Sequence, residues 1–523
     1  MNDQQQYAPI ESHMLRPWEE EQTFNDVLYD WMGRAPFLAI AFVIHFIGFV
    51  ILSAIPWSVG PDEPEVVLEA AIVPPPEDPF EEPEEPPEVE EVEEIVEEIV
   101  EFTDEITEDV VDSEDEVDLD APESPFQSDQ WNDAIGLGGG AGGGGGKIGR
   151  RRGGRTKVKQ KINEALLAGL EWLKEHQSDD GRWDCDGFPN ECDKGGELTD
   201  GEGEPNHDVG VTGLALLAFL GFGDSMREGT YQPQIRSGVA WMLKQQDKET
   251  GCLGPAVGQE FLYNHSIATL ALCEAYYSDP GNPILKRAAQ KAVNFISSAR
   301  NPYQAWRYTV PPNGDNDTSV TGWMVFALAA ARDAKLDISF EDFRGALSWI
   351  DEMTDPATGR TGYIDTGGLS SRVEHLLDAY PAEESEAMTA VGMLCRIFIQ
   401  DILGDDVEDQ TGKLELGAEI LLEKLPEWSE DGSTNDMYYW YYASYAMFQM
   451  KSVNSRYWTS WEKAMEKAIL PNQHTEPPCW EGSWDPNGPW GHSGGRVYST
   501  ATMVLCLEVF FRYGNVLGAR EDD

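Results

Sequence analysis

The sequence has few positive charges for its length. Its 523 residues include 37 Lys and Arg against 95 Asp and Glu, which gives a formal net charge of -58. Nucleic-acid binding depends on Lys and Arg contacts to phosphates, so this charge balance argues against that class of partner. The deficit is concentrated between 62 and 123, where 29 acidic residues occur with no Lys or Arg. Such a segment cannot bury an apolar core, and we predict a disordered acidic, Pro/Glu-rich arm over 57–135.

Short motifs of several ligand-binding classes are also missing. A Gly-rich run over 136–146 precedes Lys147, but no Gly-Lys-Ser/Thr pattern follows, which excludes a phosphate-binding loop. We predict that 136–157 is a Gly-rich and basic hinge. Its basic part is either a solvated linker or a partner for the acidic arm, and a patch for an anionic lipid or polymer is the third alternative. The carboxylates between 179 and 208 lack EF-hand spacing, although calcium stays an alternative there because it prefers several oxygen ligands. We predict no cofactor.

One long uncharged run is present, from Ala35 to Ile55, and its 21 residues suffice to cross a bilayer. No small-residue cleavage site follows it, so we predict a retained transmembrane helix over 35–56. Arg16 and Arg34 precede this helix, and no Lys or Arg follows until Lys147. That asymmetry predicts a cytoplasmic tail over 1–34, a single-pass protein of the inner (cytoplasmic) membrane, and an extracytoplasmic remainder.

His45 is an ionisable residue near the middle of this run, a position that often contacts a partner. A single helix with a central His, followed by a Pro/Glu-rich stretch, resembles the N-terminal part of TonB and TolA energy-transducing proteins. The resemblance implies that His45 contacts the helices of an ExbB-like channel. Those families carry a Ser one turn earlier, where this chain has Ala41. A neutral His in a plain anchor is the alternative.

The chain from 158 to 516 repeats one pattern of paired helices. An amphipathic helix ends near Gln177, a Ser-Asp-Asp-Gly turn follows, and Trp183 comes next. Each copy is followed by a second, more apolar helix. Small residues in these second helices recur at intervals of 53 to 68 residues: Thr212, Ala268, Thr321, Thr389, Ala443 and Thr500. This period predicts six helical hairpins in two concentric layers, with the apolar helices inside.

The run from Trp172 to Trp183, Trp-Leu-x3-Gln-x3-Gly-x-Trp, resembles the QW repeat of squalene-hopene and oxidosqualene cyclases. Protein prenyltransferase β subunits share the same barrel. The resemblance implies an all-α fold, an (α/α)6 toroid over 158–516, followed by a short acidic tail over 517–523. The motif is specific for the fold and much less so for the activity.

Polar residues stand at or near the start of every predicted inner helix, where caps for free N–H groups are expected. Capping does not require histidine or arginine, so a ligand site at a shared mouth is the competing interpretation. The predicted ligand-binding residues are His207, Asp208, His265, Trp323, Glu386, Asp436, Tyr439 and Arg496.

The segment Asp315-Asn316-Asp317-Thr318 resembles the Asp-x-Asp-Asp-Thr motif of class II triterpene cyclases. In that family the middle Asp protonates an alkene or epoxide, which requires an unusually acidic group in a dry cavity. The resemblance makes Asp315 and Asp317 the candidate catalytic acids. Alignment on Asp317-Thr318 places Asn316 at the donor position, and asparagine cannot supply the proton. The Asp-x-Cys zinc pair of prenyltransferases is absent from these helix starts, so we predict no metal.

Seven cysteines occur. Cys185 and Cys192 share one long loop on the predicted extracytoplasmic side, where disulfides persist, and we predict that they pair. The leading functional prediction is a membrane-anchored toroid that acts as a non-catalytic binding or scaffold module for envelope proteins. One alternative is a terpene-cyclase-like or prenyltransferase-like enzyme with an isoprenoid substrate. The other is a TonB-like energy-coupling component.

Overall fold

The computed structural model describes residues 146–512. The predicted cytoplasmic tail, the transmembrane helix with His45, the acidic arm and the acidic tail lie outside the described residues. Among residues 146–512, no helix combines the length and the apolar character needed to cross a bilayer.

Thirteen α-helices and six 3₁₀ turns make up the secondary structure of this range, which contains no strand. The α-helices are α1 Gly146–Arg155, α2 Gln160–Glu175, α3 Asp208–Phe222, α4 Gln232–Lys244, α5 Phe261–Ser278, α6 Pro283–Ser298, α7 Thr318–Asp333, α8 Phe340–Met353, α9 Ala387–Leu403, α10 Thr411–Glu423, α11 Met437–Gln449, α12 Ser455–Ile469 and α13 Gly491–Arg512. The 3₁₀ turns are Phe188–Asn190, Pro205–His207, Glu374–Leu376, Ala382–Glu384, Gly404–Asp406 and Leu470–Asn472.

Six of these helices form a closed inner ring. Helix α3 packs on α5, α5 on α7, α7 on α9, α9 on α11 and α11 on α13, and α13 returns to α3. These helices are buried nearly all round; in α3 every residue from Val209 to Phe222 is buried. Helices that are apolar on all sides must be covered on all sides. The closed ring confirms the predicted all-α (α/α)6 toroid.

The remaining repeat helices form the outer layer, and each packs on an inner helix. Helix α2 packs on α13, α4 on α3, α6 on α5, α8 on α7 and α9, α10 on α9, and α12 on α11. They are one-sided: in α12, Trp458, Trp461 and Met465 are buried, whereas Thr459 is exposed. This amphipathic pattern is what places them between the inner ring and solvent.

The glutamine of the repeat forms hydrogen bonds between neighbouring hairpins. Gln177 donates from Nε2 to the carbonyl oxygen of Gln234, in the next outer helix, at 3.0 Å. Gln473, in the last repeat, donates in the same way to Ala165 in α2 at 2.8 Å. Because a Gln side chain carries two N–H donors, it can satisfy carbonyls on both sides of the joint. The last joint therefore closes the ring onto the first hairpin.

The predicted Cys185–Cys192 disulfide is wrong. Cys192 is bonded to Cys479, 287 residues later, with a Cα–Cα distance of 6.0 Å. Cys185 is a buried free thiol whose Sγ faces the carbonyl oxygens of Ser493 and Gly494. Closure of the ring brings the first long loop against the last one, a proximity that local cysteine spacing cannot reveal.

The described part of the predicted hinge is also ordered. Residues Gly146–Arg155 form α1, which packs against α13 and α3. Its arginines pair with carboxylates of the ring: Arg151 with Glu274 at 3.0 Å and Arg152 with Glu228 at 2.6 Å. The interpretation of this stretch as a solvated linker is wrong for Gly146–Arg155, because ring carboxylates bind its positive charge.

Candidate functional site

A half-open cavity of about 500 Å³ lies at the N-terminal ends of the inner helices. Its wall is mainly aromatic, with Tyr263, Tyr308, Trp323, Tyr363, Tyr438 and Trp490 among the lining residues. Its rim is polar and includes Glu204, His207, Glu260, Arg372, His375 and His492. An apolar wall with a few polar groups is the usual composition of a small-molecule site.

Two of the predicted ligand-binding residues, His207 and Trp323, line this cavity. Trp323 projects from α7 and stacks on Tyr441, with ring centroids 5.9 Å apart. His207 precedes α3; its Nδ1 lies 3.3 Å from the amide oxygen of Asn264. Its Nε2 is 3.7 Å from a carboxylate oxygen of Glu204. An imidazole held this way can form a hydrogen bond with a ligand.

Asp317 lies beneath the aromatic wall and is the cap of α7. Its Oδ1 accepts the backbone N–H of Val320 at 2.7 Å. Its Oδ2 is buried, and a hydrogen bond from Tyr363 acts to lower the pKa of the carboxyl. Burial raises the pKa of Asp317 to about 7, although the Val320 N–H and the positive charge of Arg307 both act to lower it. A carboxyl that titrates near neutral pH is suited to general acid or base chemistry.

Three phenols adjoin Asp317 and line the cavity. The hydroxyl groups of Tyr308 and Tyr363 are hydrogen-bonded to each other. Burial is the main cause that raises the pKa of Tyr263, Tyr308 and Tyr363, and in each case the charge of Asp317 comes next. Asp317 itself is fully buried. Asp317 is not among the residues that line the cavity, whereas all three phenols are.

The prediction of Asp315 as a catalytic acid is wrong, because its side chain is exposed and does not line the cavity. One of its carboxylate oxygens accepts from the amide of Asn313 at 2.8 Å. Asn316, at the aligned donor position, is buried in a structural role: its Oδ1 accepts from the backbone N–H of Ala305 at 2.9 Å and from Asn301 at 3.1 Å. Of this motif, Asp317 alone meets the requirement for a buried acid.

Two other predicted ligand residues hold the layers together and do not line the cavity. His265, in α5, accepts the N–H of Leu253 at 3.0 Å, and its Nε2 faces the carbonyl of Ala292, in α6, at 3.2 Å. Burial lowers its pKa to about 3. The hydroxyl of Tyr439 donates to the carbonyl oxygen of Lys424, at the end of α10, at 2.8 Å. Both side chains point away from the ring axis.

The predicted carboxylates Glu386 and Asp436 precede inner helices and bind arginines, and the side chain of Asp436 also caps its helix. Glu386 precedes α9 and binds the guanidinium of Arg360. Asp436 accepts the N–H of Tyr439 at 3.0 Å and so caps α11. Its other oxygen accepts from Arg372 at 2.8 Å, and Arg372 is on the cavity rim. Asp436 therefore acts on the cavity indirectly, by holding Arg372.

Arg496 and Asp208 both bind loop residues of opposite charge outside the cavity. Arg496 pairs with Asp200 and Asp485, each at 2.8 Å, and its guanidinium lies 4.4 Å from the ring centroid of Trp480. Asp208 pairs with Arg182 at 3.0 Å.

The acidic loop predicted as an alternative calcium site does bring carboxylates together. Oxygens of Asp184, Asp186 and Asp208 lie within 4.8 Å of one another. Arg182 pairs with Asp184 at 2.7 Å and with Asp208 at 3.0 Å. A protein guanidinium therefore already supplies positive charge to this cluster, and we assign no metal to it.

Several residues that line the cavity have no motif that marks them in the sequence: Tyr308, Tyr363, Arg372, His375 and Trp490. They lie in loops before α7, α9 and α13, where no helical period indicates which way a side chain points. The one signal available was aromatic content, because Tyr363 occupies the place of the repeat tryptophan in its hairpin.

No family model and no curated protein matches this sequence. Among solved structures, the chain is similar to the GH76A α-1,6-mannanase from Salegentibacter sp. HEL1_6, with 11% identity, a TM-score of 0.44, and coverage of 66% of this chain and 98% of that one. It is also similar to the type II terpene cyclase MstE from Scytonema, with 12% identity, a TM-score of 0.43, and coverage of 66% and 97%.

A third similar structure is the cellobiose 2-epimerase from Bacillus thermoamylovorans B4167, with 13% identity, a TM-score of 0.48, and coverage of 68% and 99%. At these identities the likeness concerns the helical ring and not the chemistry.

Proposed function

We propose that the toroid binds an uncharged, largely apolar ligand in its cavity and transfers a proton to it from Asp317. The observation that carries this proposal is a buried carboxyl with a pKa of about 7, next to three phenols that line the cavity. General acid catalysis is most efficient when the pKa of the acid lies near the working pH.

The walls of the cavity support the choice of ligand. Val211, Leu214 and Ile267 line it together with the aromatic residues, and these surfaces favour a ligand with an apolar body. The polar rim around His207 and Glu204 suits a hydrophilic end group. An isoprenoid, the ligand class that the cyclase resemblance implies, has this character. A terpene-cyclase-like acid reaction is therefore our leading proposal for the ring.

In this reaction Asp317 would pass its proton through the phenols to a C=C bond of the ligand, whose π electrons form the new C–H bond. The resulting cation would lose a proton to water, and water would then reprotonate Asp317. Tyr363 and Tyr308 line the cavity, share a hydrogen bond and are both acted on by the charge of Asp317. After the transfer, Asp317 is an anion, and the guanidinium of Arg307, 3.9 Å from Oδ2, stabilises it. A preorganised positive charge close to a developing anion lowers the barrier to its formation.

The location of the ring in the cell envelope stays part of this proposal. The Cys192–Cys479 disulfide supports it, because structural disulfides persist in oxidising compartments. The membrane anchor over 35–56 and the contact of His45 with an ExbB-like channel remain predictions. Replacement of His45 with no change in copurifying membrane proteins would contradict the energy-coupling alternative.

The experiment uses the full-length protein in detergent, incubated in D₂O with an envelope lipid extract and followed by mass spectrometry. Asp317→Asn removes the acid and keeps the cap, and Asp315→Asn is the matched control on the exposed neighbour. We expect the wild type and D315N to form a deuterated product, and D317N to form it on the order of a thousand times more slowly.

Non-catalytic binding is the second candidate, and the capping role of Asp317 favours it, since a cap explains the residue without chemistry. A ligand that is bound by all three proteins, with no deuterium transfer in any of them, would contradict acid catalysis. That result would establish the ring as a binding module.

A further inference from the structure

The base of the ring, at the end opposite the cavity, is an acidic groove that fits an arginine-rich helix. We propose that α1 is a detachable strap, held in this groove by Arg151, that fastens the N-terminal arm to the ring and lengthens the tether when it is released. This inference does not depend on the proposed acid chemistry.

The cavity and α1 lie at opposite ends of the ring, because they contact opposite ends of the inner helices. The cavity is lined by residues at the starts of inner helices, such as Gly210 in α3 and Tyr263 in α5. Helix α1 instead contacts their ends: Arg151 donates to the carbonyl of Leu220, near the end of α3, at 2.8 Å. Helix C-termini present free carbonyls and negative dipole ends, which attract arginine.

Arg151 is the buried contact of the strap. Its Nη2 lies 3.0 Å from one carboxylate oxygen of Glu274 and 3.2 Å from the other, and both side chains are 4% exposed. Glu274 also binds Arg512, at 3.4 Å, and Arg512 pairs with Glu508 at 2.9 Å. Arg151 and Arg512 thus share Glu274. Removal of Arg151 takes one buried guanidinium from Glu274, and loss of a member of a buried ion-pair group is destabilising.

The other strap contacts are more exposed. Arg152 pairs with Glu228, whose side chain is 63% exposed. Arg155 lies 3.7 Å from Asp224, and its guanidinium is 4.3 Å from the ring centroid of Phe222. Exposed pairs contribute little, so the attachment depends mainly on Arg151.

Helix α1 depends on the groove for its own structure. Four of its ten residues are glycine, which makes an isolated helix of this length unstable. The glycines also permit close contact: a Cβ at Gly154 would lie 2.5 Å from the Cβ of Phe511. Release of the strap therefore unfolds the helix. Ten helical residues span about 15 Å and ten extended residues about 35 Å, so the tether gains roughly 20 Å.

The test is hydrogen exchange by mass spectrometry on the full-length protein in detergent. Arg151→Gln should raise exchange in 146–155 on the order of a hundredfold, while exchange in α5, α7 and α9 stays unchanged. Arg152→Gln is the matched control and should leave α1 protected. Glu274→Gln approaches the same pair from the ring and should also release α1, which keeps the test valid if R151Q does not fold.

Two outcomes would overturn the proposal. Unchanged exchange of 146–155 in R151Q and E274Q would show that Arg151 is not the attachment. Loss of protection throughout the inner ring, to the same degree as in 146–155, would show that α1 is an integral part of the fold and not a detachable strap.

Discussion

The guanidinium Nε of Arg307 lies 3.9 Å from Oδ2 of Asp317, too far for a hydrogen bond and close enough for charge to matter. The Asp317 carboxyl thus has a partner that stabilises its anion without fixing it in that state. The effect of burial exceeds that of Arg307 and keeps the pKa of Asp317 near 7.

Asp317→Asn should make the free energy of unfolding less dependent on pH. The folded pKa of about 7 exceeds the unfolded value of 3.8, so the folded wild type binds more protons between these values and loses stability as pH rises through that window. Asparagine caps a helix as well as aspartate does and does not titrate. The free energy of unfolding of the variant, relative to that of the wild type, should therefore increase by up to ~4 kcal/mol as the pH rises from 4 to 8. Denaturant titrations at several pH values measure this difference; a constant difference would contradict the raised pKa.

Arg307→Gln should shift the titration of Asp317 upward. The guanidinium lowers the pKa of this carboxyl, so its removal should raise the midpoint by about one pH unit. The readout is the pH at which R307Q and the double variant R307Q/D317N diverge in stability. Arg307→Lys retains a charge and should restore most of the wild-type midpoint, whereas an unmoved midpoint in R307Q would remove Arg307 from the account.

His207→Gln and His265→Ala should separate a ligand contact from a structural contact. His207 lies on the cavity rim, so we expect weaker ligand binding and a change in stability within about 0.5 kcal/mol. His265 is fully buried and joins α5 to α6, so its loss should cost about 3 kcal/mol. Thermal unfolding alongside ligand titration distinguishes the two, and equal destabilisation would contradict the placement of His207.

Non-reducing peptide mapping should recover a Cys192–Cys479 linked pair and an unmodified Cys185. The bond joins the first and last repeats, so the double variant C192S/C479S should lose about 3 to 5 kcal/mol of stability. Cys185→Ser tests the buried thiol separately and should leave the linked pair intact. Recovery of a Cys185–Cys192 peptide would contradict this ring closure.

Gln473→Ala should weaken the joint that closes the ring. Its side chain donates to Ala165 at 2.8 Å and to Gly482 at 2.9 Å, so the substitution leaves two carbonyls without this donor. We expect a loss of about 1 to 3 kcal/mol, comparable to that of Gln177→Ala at the first joint. Chemical denaturation measures both, and a neutral Q473A would mean that packing alone closes the ring.

The repeat made the fold predictable from the sequence, because its Gln and Trp residues form hydrogen bonds within and between neighbouring hairpins. Side-chain direction at the mouth was harder to infer. Adjacent residues on a helix differ in direction by about 100°, so Tyr438 lines the cavity while Tyr439 reaches the outer layer at Lys424.

The disulfide and the strap could not be predicted from the sequence, for a different reason. Cys479 and Glu274 meet their partners only because the ring closes and the base is formed, and neither pairing has a local signal. The sites of His207, Trp323 and Asp317 could be predicted, because their helices begin at the end of the ring that holds the cavity.

The most direct test of the central claim is the protonation state of Asp317 in the folded protein. Infrared difference spectra between wild type and D317N, recorded from pH 4 to 9, isolate the C=O stretch of the protonated Asp317 carboxyl. We predict a band that is present at pH 5, disappears with a midpoint near pH 7, and is absent from D317N. A carboxyl that is fully ionised by pH 5 would contradict the acid role of Asp317 and leave it as a helix cap.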